Sequence, residues 1–248
     1  MANSVLWFQV LGRNAQGLRD FYRDVFRWKI SDGDTSNGGD YGYVESGSGG
    51  IPGGIGSGSD RSLSHATFYV EVEDQLAIVA KARELGGRVI NPPSELRGGK
   101  LTFGYMSDPE GHVIGLSTGL SARPDGSSSN PVLSFEIMGQ DSNSLREFYK
   151  SLFGWTMNEA PFPDYWEVDP GESIRGGIGP ARAAGLRSDD GFATFKVEVA
   201  DPEATLARVR ELGGETVMKM YAVPGTGLRV AYFTDPEGHI VGLTGGLA

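Results

Sequence analysis

The sequence predicts an α+β fold built from two tandem copies of one module, and two observations carry this prediction. A nine-residue phrase at 108–116, Asp-Pro-Glu-Gly-His followed by an apolar stretch, returns at 235–243, an offset of 127 residues. Asp-Pro-Glu-Gly forms a turn, and the apolar residues after it predict a strand. Between the copies, residues 121–131 (SARPDGSSSNP) are polar and rich in Pro, Gly and Ser, which predicts a linker. The predicted domains are therefore 1–120 and 132–248.

The composition excludes several classes of protein. The net charge is −10 without a dense cluster of Lys and Arg, which argues against nucleic acid and anionic membranes as partners. Cysteine is absent, so disulfides, thiol nucleophiles and thiolate metal sites are excluded. The start, Met-Ala-Asn-Ser, lacks a basic segment followed by a long apolar run, and no stretch of sequence is apolar enough to span a bilayer. We therefore expect a cytoplasmic monomer or homodimer with a small-molecule ligand.

The first 120 residues follow the order β-α-β-β-β twice. Strands are predicted at 5–11, 41–45, 51–55, 66–73, 88–91, 101–106 and 113–117. The first helix follows Asn14 as its N-cap, and the second runs from the N-cap Asp74 to Leu85, before a Gly-Gly pair. Residues with helical spacing mark the buried face of the first helix: Leu18, Phe21, Tyr22, Val25 and Phe26.

The same pattern restarts after the linker. The first strand returns at 132–138, and the apolar helix residues return 127 positions later as Leu145, Phe148, Tyr149, Leu152 and Phe153. The Gly-Gly-Ile-Gly at 53–56 returns at 176–179, displaced by only 123 positions, so four residues are gained or lost locally. A duplicated module with two βαβββ units in each copy explains the whole pattern.

Four βαβββ units, Phe-Tyr at the middle of the first helix of each module and a closing Asp-Pro-x-Gly-His turn resemble the vicinal oxygen chelate superfamily. That superfamily includes glyoxalase I, extradiol dioxygenases, and fosfomycin- and bleomycin-resistance proteins. The resemblance covers nearly the whole chain and looks closest to the tandem, two-module glyoxalase-like branch. It implies curved mixed sheets around cavities, with the helices outside.

Alternation along the strands gives them two faces, and the resemblance implies that one faces the helices and the other a cavity. The apolar face carries Phe8, Val10, Phe68, Val70, Val72, Phe135, Ile137, Phe195, Val197 and Val199. The polar-aromatic face carries Trp7, Gln9, Thr67, Tyr69 and Glu71, then Ser134, Glu136, Thr194, Lys196 and Glu198. Such a mixture is typical of a small-molecule site.

The resemblance also implies a divalent metal held at three positions in each module, two of them usually His and one Glu. This sequence departs from the pattern at all six positions: Trp7, Thr67, Gly115, Ser134, Thr194 and Gly242. Zn, Fe or Mn needs imidazole or carboxylate donors that converge on one point. His112 and His239 belong to the turns, where we expect a structural role, and His65 lies two residues before an expected ligand position. We therefore expect no metal and no other cofactor.

Acid–base groups on the polar-aromatic face remain as catalytic candidates. Glu136 and Lys196 share that face in the second module, where they could move a proton or polarise a carbonyl; an ion pair at the cavity rim is the alternative. Tyr232, like Tyr105, lies three residues before a turn aspartate and either donates to a bound oxygen or fills space. We predict Glu136, Lys196 and Tyr232 as catalytic residues. Predicted substrate-binding residues are Trp7, Gln9, Thr67, Tyr69, Phe103, Tyr105, Ser134 and Thr194.

Three functions are compatible with these residues. The first is a metal-independent enzyme of natural-product tailoring that acts on a small aromatic or polyketide-like metabolite by proton transfer, cyclisation or isomerisation. The second is an antibiotic-binding resistance protein of the bleomycin-resistance type, for which the rings of Trp7, Tyr69 and Phe103 would stack on a flat ligand unless they form an aromatic core. The third is a glyoxalase-like lyase. Because Gln9 stands where the second module has Glu136, we expect the two modules to differ in chemistry.

Overall fold

A computed structural model describes residues 3–35, 39–45, 47–58, 63–96, 100–120, 129–186 and 191–246. The strands and helices within these ranges are β1 (Val5–Leu11), α1 (Ala15–Phe26), β2 (Tyr41–Val44), β3 (Gly53–Gly56), β4 (His65–Glu71), α2 (Gln75–Glu84), β5 (Arg88–Glu95), β6 (Thr102–Ser107), β7 (Val113–Thr118), β8 (Val132–Gly139), α3 (Ser142–Phe153), β9 (Thr156–Glu159), β10 (Trp166–Asp169), β11 (Arg175–Pro180), β12 (Phe192–Glu198), α4 (Pro202–Glu211), β13 (Glu215–Ala222), β14 (Leu228–Thr234) and β15 (Ile240–Gly246). A short 3₁₀ turn covers Ala181–Ala184. Residues 121–128 of the predicted linker lie outside the described residues.

These elements form four repeats of one topology, and the predicted α+β fold is confirmed. Repeat 1 contains β1 to β3 with α1, repeat 2 contains β4 to β7 with α2, repeat 3 contains β8 to β11 with α3, and repeat 4 contains β12 to β15 with α4. In each repeat the closing strand pairs in parallel with the first strand. The other pairings within a repeat are antiparallel, so the sheets are mixed.

The chain divides into two compact units. The first unit comprises Met1–Trp7, Thr67–Arg123 and Ser134–Ala193, and the second comprises Phe8–Ala66, Pro124–Leu133 and Thr194–Ala248. The first unit therefore consists mainly of repeats 2 and 3, and the second mainly of repeats 1 and 4. Each unit takes one repeat from each half of the sequence.

The first unit has an aromatic core between its two repeats. Its strands pair in the orders β4-β7-β6-β5 and β8-β11-β10-β9. Phe68 and Phe135, from the apolar faces of β4 and β8, are fully buried and their ring centroids lie 4.6 Å apart. On α3, the Tyr149 ring stacks on Trp155 at 5.8 Å. The prediction that these strand residues form a core is confirmed.

The Asp-Pro-Glu-Gly-His turn of repeat 2 fastens repeat 3 to it. The buried carboxylate of Asp108 accepts hydrogen bonds from the backbone of Glu110 and His112, from His112 Nδ1 at 2.7 Å and from the Tyr149 hydroxyl at 2.9 Å. Glu110 accepts from the backbone N–H groups of Gln140 and Asp141, which precede α3. Burial, with the Asp108 charge beside it, raises the pKa of Tyr149 well above 10.0. The turn histidine thus has a structural partner.

The second unit repeats this arrangement with repeats 4 and 1. Its strands pair in the orders β2-β3-β1 and β13-β14-β15-β12, and the rings of Phe8 and Phe195 lie 4.6 Å apart. Asp235 accepts from His239 Nδ1 at 2.8 Å and from the Tyr22 hydroxyl at 2.9 Å. Burial, followed by the Asp235 charge, raises the pKa of Tyr22 well above 10.0.

Local signals predicted the helix boundaries. Asn14 caps α1 by accepting from the Gly17 N–H at 3.0 Å, and Asp74 caps α2 by accepting from the Ala77 N–H at 3.0 Å. Glu237 accepts from the N–H groups of Arg13 and Asn14, as Glu110 does before α3, so the turn of repeat 4 also fixes the start of α1. Among the described residues, no helix is long and apolar enough to cross a membrane.

Candidate active site

Each repeat places a polar side chain of its first strand opposite a glycine of its closing strand. The four pairs in register are Gln9 and Gly54, Tyr69 and Gly115, Glu136 and Gly177, and Lys196 and Gly242. All four polar residues were predicted to bind or transform substrate from the strand alternation, and Gln9 was also predicted as the counterpart of Glu136. The structure adds the facing glycines, which none of those predictions included.

Because these glycines have no Cβ, neighbouring side chains can lie directly over them. A Cβ on Gly177 would overlap the Tyr165 hydroxyl and lie 2.9 Å from Glu136 Oε1. A Cβ on Gly115 would overlap the Tyr69 ring in the same way. Because atoms this close repel strongly, any larger residue would displace the polar side chain. The small residue at this position is therefore part of the site, where the family resemblance had implied a metal-binding Glu at Gly115.

Glu136 and Tyr165 form a hydrogen-bonded pair in the first unit. Glu136 on β8 is 1% exposed, and the Tyr165 hydroxyl donates to its Oε1 at 2.5 Å. Tyr165 precedes β10, and its carbonyl accepts from the Ala160 N–H at 3.0 Å, which closes the turn between β9 and β10. The pair thus presents a buried carboxylate that accepts a hydrogen bond from a phenol, an arrangement suited to proton transfer.

The same unit contains a tyrosine pair with an aromatic neighbour. The Tyr69 hydroxyl donates to the Tyr105 hydroxyl at 2.6 Å, and the Tyr69 ring meets Phe103 edge-on at 5.5 Å. Tyr69 and Tyr105 are almost fully buried, and Phe103 is half-buried. The three predicted binding residues therefore lie together, and Trp7, half-buried on the part of β1 that belongs to this unit, is the fourth aromatic residue of the prediction.

In the second unit, Gln9 links two other side chains. Gln9 Nε2 donates to the Tyr41 hydroxyl at 2.9 Å, and His65 Nε2 lies 3.4 Å from Gln9 Oε1. Because an amide oxygen only accepts, His65 Nε2 carries the proton in this contact. Burial, reinforced by His239, lowers the pKa of His65 to about 4, so its imidazole is neutral at pH 7. This cluster is uncharged.

Lys196 and Tyr232 both lie over Gly242 in the second unit. A Cβ on Gly242 would overlap the aliphatic chain of Lys196 and lie 3.2 Å from the Tyr232 ring. Lys196 is 9% exposed and Tyr232 is 4% exposed. Two of the three predicted catalytic residues thus lie side by side next to Gly242. The third, Glu136, belongs to the first unit.

The positions that the resemblance reserves for a metal do not fit one. Thr67 is fully buried and its hydroxyl donates to the Val113 carbonyl at 2.6 Å; the hydroxyl of Thr194 donates to the Ile240 carbonyl at 2.7 Å. Ser134 is half-buried at the start of β8. Within the described ranges, no three His, Cys, Asp or Glu side chains are grouped to bind a metal ion. Hydroxyls already bonded to carbonyls, together with indole and glycine, are poor ligands for Zn, Fe or Mn.

Tyr41, His65 and Tyr165 were not predicted as site residues, although the sequence held a signal for the tyrosines. Asp-Tyr occurs at 40–41 and again at 164–165, displaced by 124 positions, close to the displacement of the Gly-Gly-Ile-Gly motif. The second copy directly precedes β10, and its Tyr165 is a hydrogen-bond partner of Glu136.

Comparisons with known proteins agree with this fold. A family model described as a glyoxalase-like domain matches the chain twice, at residues 9–117 and 135–244. CFP32 of Mycobacterium tuberculosis, provisionally named a glyoxylase, is 27% identical over 112 residues, 44% of this chain and 42% of that protein. The match therefore spans less than half of CFP32. The lactoylglutathione lyase GLX1 of Arabidopsis thaliana is 21% identical over 205 residues, 73% of this chain and 67% of that protein.

Solved structures show the same architecture at low identity. The Mn(II)-bound glyoxalase from Novosphingobium aromaticivorans superposes with a TM-score of 0.62 and 13% identity, covering 99% of this chain and 82% of that one. The 2,2',3-trihydroxybiphenyl 1,2-dioxygenase from Sphingomonas wittichii gives 0.61 and 14%, covering 99% and 91%. These likenesses concern the fold. With the family model matching most of the chain, the protein belongs to the glyoxalase-like family of the vicinal oxygen chelate superfamily.

Proposed function

We propose that the chain is an enzyme that needs no metal and moves a proton in a small aromatic or polyketide-like metabolite, by proton transfer, cyclisation or isomerisation. The observation that carries the proposal is the Glu136 carboxylate, buried on β8 and bonded to the Tyr165 hydroxyl. A buried carboxylate beside a proton donor has the two groups that general acid–base catalysis requires.

Glu136 is proposed as the base. It would take a proton from carbon or oxygen of the substrate and return it at another position, which balances an isomerisation without a co-reactant. Glu136 is itself only 1% exposed, so little water reaches its carboxylate. Exclusion of water strengthens the electrostatic interactions of the carboxylate with a bound substrate.

Lys196 and Tyr232 are proposed separately, in the second unit, as donors to a substrate oxygen. An ammonium group and a phenol O–H both stabilise negative charge that develops on a carbonyl oxygen during proton abstraction. Their shared position over Gly242 supports a joint role. Of the other predicted binding residues, Thr67 and Thr194 have hydroxyls that donate to backbone carbonyls, which supports a structural role for them.

The first experiment identifies the ligand. Mass spectrometry of the purified protein under native conditions would identify a retained metabolite, and its conversion would then be followed with Glu136→Gln and Lys196→Met variants. Both variants are expected to lose turnover while keeping the fold. Full turnover in both variants would contradict the acid–base assignment, and stoichiometric Zn, Ni, Fe or Mn in the purified protein would contradict the metal-free assignment.

A second candidate function is sequestration of an antibiotic, and the cluster of Tyr69, Phe103 and Tyr105 favours it. The half-buried Phe103 ring, supported by the two buried tyrosines, offers an apolar contact for a flat ligand, and the net charge of −10 would attract a cationic one. A ligand that binds stoichiometrically and is recovered unchanged after long incubation would favour this function over catalysis. A glyoxalase-like lyase is the third candidate, with the similarity to lactoylglutathione lyase as its support.

We also propose a cellular location and an oligomeric state. Because the chain has no cysteine, it cannot form the disulfides that stabilise proteins in oxidising compartments, which supports a location in the cytoplasm. We propose a monomer or a homodimer, to be decided by light scattering of the purified protein.

A further inference from the structure

We propose that Asp164 and Arg182 are positioning residues that hold the Tyr165 hydroxyl on the Glu136 carboxylate, and that salt loosens this hold. The inference rests on the proposed role of Glu136 as the base, and it adds a means by which access to that base is controlled. Asp164 directly precedes Tyr165, so any restraint on Asp164 also restrains the tyrosine.

Two contacts restrain Asp164, and its backbone is strained. Its carboxylate pairs with Arg182 at 2.8 Å, and its carbonyl accepts from the Ser142 hydroxyl at 2.7 Å. Its φ of 59° lies in the left-handed region, which residues other than glycine adopt less readily. A strained backbone persists only where its surroundings fix it. Here the surroundings are α3, through Ser142, and the 3₁₀ turn, through Arg182.

An independent copy of this arrangement occurs in the second unit. Asp40 directly precedes Tyr41, and its carboxylate pairs with Arg19 of α1 at 3.0 Å. Arg19 and Arg182 come from unrelated positions, one on a helix and one in a 3₁₀ turn. In both units an arginine pairs with the aspartate that precedes the tyrosine, although the two arginines lie on different elements. This recurrence indicates that the tyrosine must be held in place.

The two ion pairs differ in exposure, and the difference predicts which tyrosine is released. The Arg19 side chain is 2% exposed and its partner Asp40 37% exposed, whereas Arg182 is 64% exposed and Asp164 45% exposed. Exposed pairs contribute little and are screened by salt, whereas partly buried pairs are screened much less. Tyr165 is therefore the tyrosine that can leave its partner, and its departure removes the tyrosine's hydrogen bond from Glu136 Oε1.

The test uses the protein with ¹³C at Cζ of tyrosine, because this carbon reports hydrogen bonding of its own hydroxyl. The chain has nine tyrosines, few enough for separate NMR signals. Tyr165→Phe and Tyr41→Phe assign the two relevant signals, and Glu136→Gln shows how the Tyr165 signal responds when its acceptor loses its charge. The test variants are Asp164→Asn, which tolerates the same backbone conformation, and Arg182→Ala.

We expect both variants to move the Tyr165 signal upfield, in the direction set by Glu136→Gln, and to leave the Tyr41 signal unchanged. Arg182→Lys should restore part of the shift, since it keeps the charge. Raising NaCl from about 0.05 M to about 1 M should move the wild-type Tyr165 signal in the same direction, because the Debye length falls to about 3 Å. The control is Arg175→Ala, which removes another exposed pair of the same unit, to Asp169 at 3.4 Å, and should move neither signal.

A Tyr165 signal that stays in place in both Asp164→Asn and Arg182→Ala would overturn the inference. A Glu136→Gln variant that does not move this signal would also overturn it, because the tyrosine would then not report on the carboxylate. Failure of the proposed function is distinguished by turnover: if Glu136→Gln keeps full turnover but moves the Tyr165 signal, the base is wrong and the positioning stands.

Discussion

Repeats 1 and 3 share one geometry but reverse the direction of its hydrogen bond. In repeat 1, Gln9 Nε2 donates to the Tyr41 hydroxyl at 2.9 Å, whereas in repeat 3 the Tyr165 hydroxyl donates to Glu136 at 2.5 Å. The exchange of an amide for a carboxylate turns the tyrosine from acceptor to donor and adds a negative charge. Equal backbone positions therefore hold a neutral pair in one unit and an acid–base pair in the other.

The closing turns show the opposite outcome, because both copies keep the same bonds. Asp108 and Asp235 each accept from their turn histidine and from a helix tyrosine, Tyr149 or Tyr22, at distances that differ by no more than 0.1 Å. The turns fasten repeat to repeat within each unit, so their loss would cost stability. The side chains that lie over the glycines do not hold the repeats together, and they differ from repeat to repeat. We therefore place the chemistry at these side chains.

The largest expected effect concerns Glu136 and its partner Tyr165. Glu136→Gln keeps the shape of the side chain and a hydrogen bond with Tyr165 but removes the base, so turnover of the identified substrate should fall by roughly 10²–10⁴-fold. The matched change in repeat 1, Gln9→Glu, should leave turnover within a few-fold of wild type. Equal losses from both changes would show that the two repeats share one role.

The closing turns should tolerate substitution badly and equally. Asp108→Ala and Asp235→Ala each leave buried donors without their acceptor, so the free energy of unfolding should fall by about 3–5 kcal/mol in each variant. Tyr149→Phe and Tyr22→Phe remove a single bond to a charged group and should cost about 1.5–3 kcal/mol each. Urea denaturation monitored by tryptophan fluorescence measures these values. A cost below about 1 kcal/mol for either aspartate would contradict its structural role.

Acid should destabilise the protein because His65 is buried as a neutral imidazole. The residue at the corresponding position of the second module, 127 residues later, is Phe192. The pKa of His65 is about 4 in the folded chain, below its ordinary value of 6.5, so the unfolded chain binds the proton more tightly. The stability contributed by the neutral imidazole is complete above pH 6.5 and declines toward the folded pKa. The loss between pH 7 and pH 4 should be about 3 kcal/mol.

His65→Phe tests this directly, because phenylalanine does not titrate. Urea unfolding at both pH values should show about 3 kcal/mol less acid loss in the variant than in the wild type. Carboxylates titrate in both proteins and cancel from the comparison. Parallel stability curves for the two proteins would exclude His65 as the acid-sensitive group.

The smallest expected effect separates the two tyrosines. Tyr41→Phe removes a hydrogen bond with a neutral amide and should lower the free energy of unfolding by about 1 kcal/mol, whereas Tyr165→Phe removes a bond to a carboxylate and should lower it by about 1.5–3 kcal/mol. Turnover should change only in Tyr165→Phe, since Tyr41 lies in the neutral pair. A turnover loss in Tyr41→Phe that matches the loss in Tyr165→Phe would contradict the division of roles.

Much of the fold was accessible from the sequence because its signals are local. The caps Asn14 and Asp74, and the apolar alternation that buries Phe8 and Phe135, depend on neighbours within a few residues. The composition of the two units was not accessible. It depends on Glu110 and Glu237, which bond the start of a helix in another repeat, and nothing in the repeat pattern specifies which repeat that is.

The candidate site was predicted only in part for the same physical reason. Glu136 and Lys196 were predicted because strand alternation assigns each a face, and Tyr232 was predicted because it lies three residues before a turn aspartate. Tyr165 was missed because its position depends on a turn before β10, where the two modules differ in length and the displacement of 127 no longer holds. Its bond to Glu136 joins residues 29 positions apart, and the register that creates it is a property of the folded sheet.

The most direct test of the central claim is the turnover rate of the identified substrate, measured on wild type and Glu136→Gln after both are treated with a chelator. If Glu136 is a base that acts without a metal, chelated wild type keeps its full rate and chelated Glu136→Gln is slower by roughly 10²–10⁴-fold. A wild-type rate that falls on chelation and returns with Mn²⁺, or equal rates for the two proteins, would contradict the account.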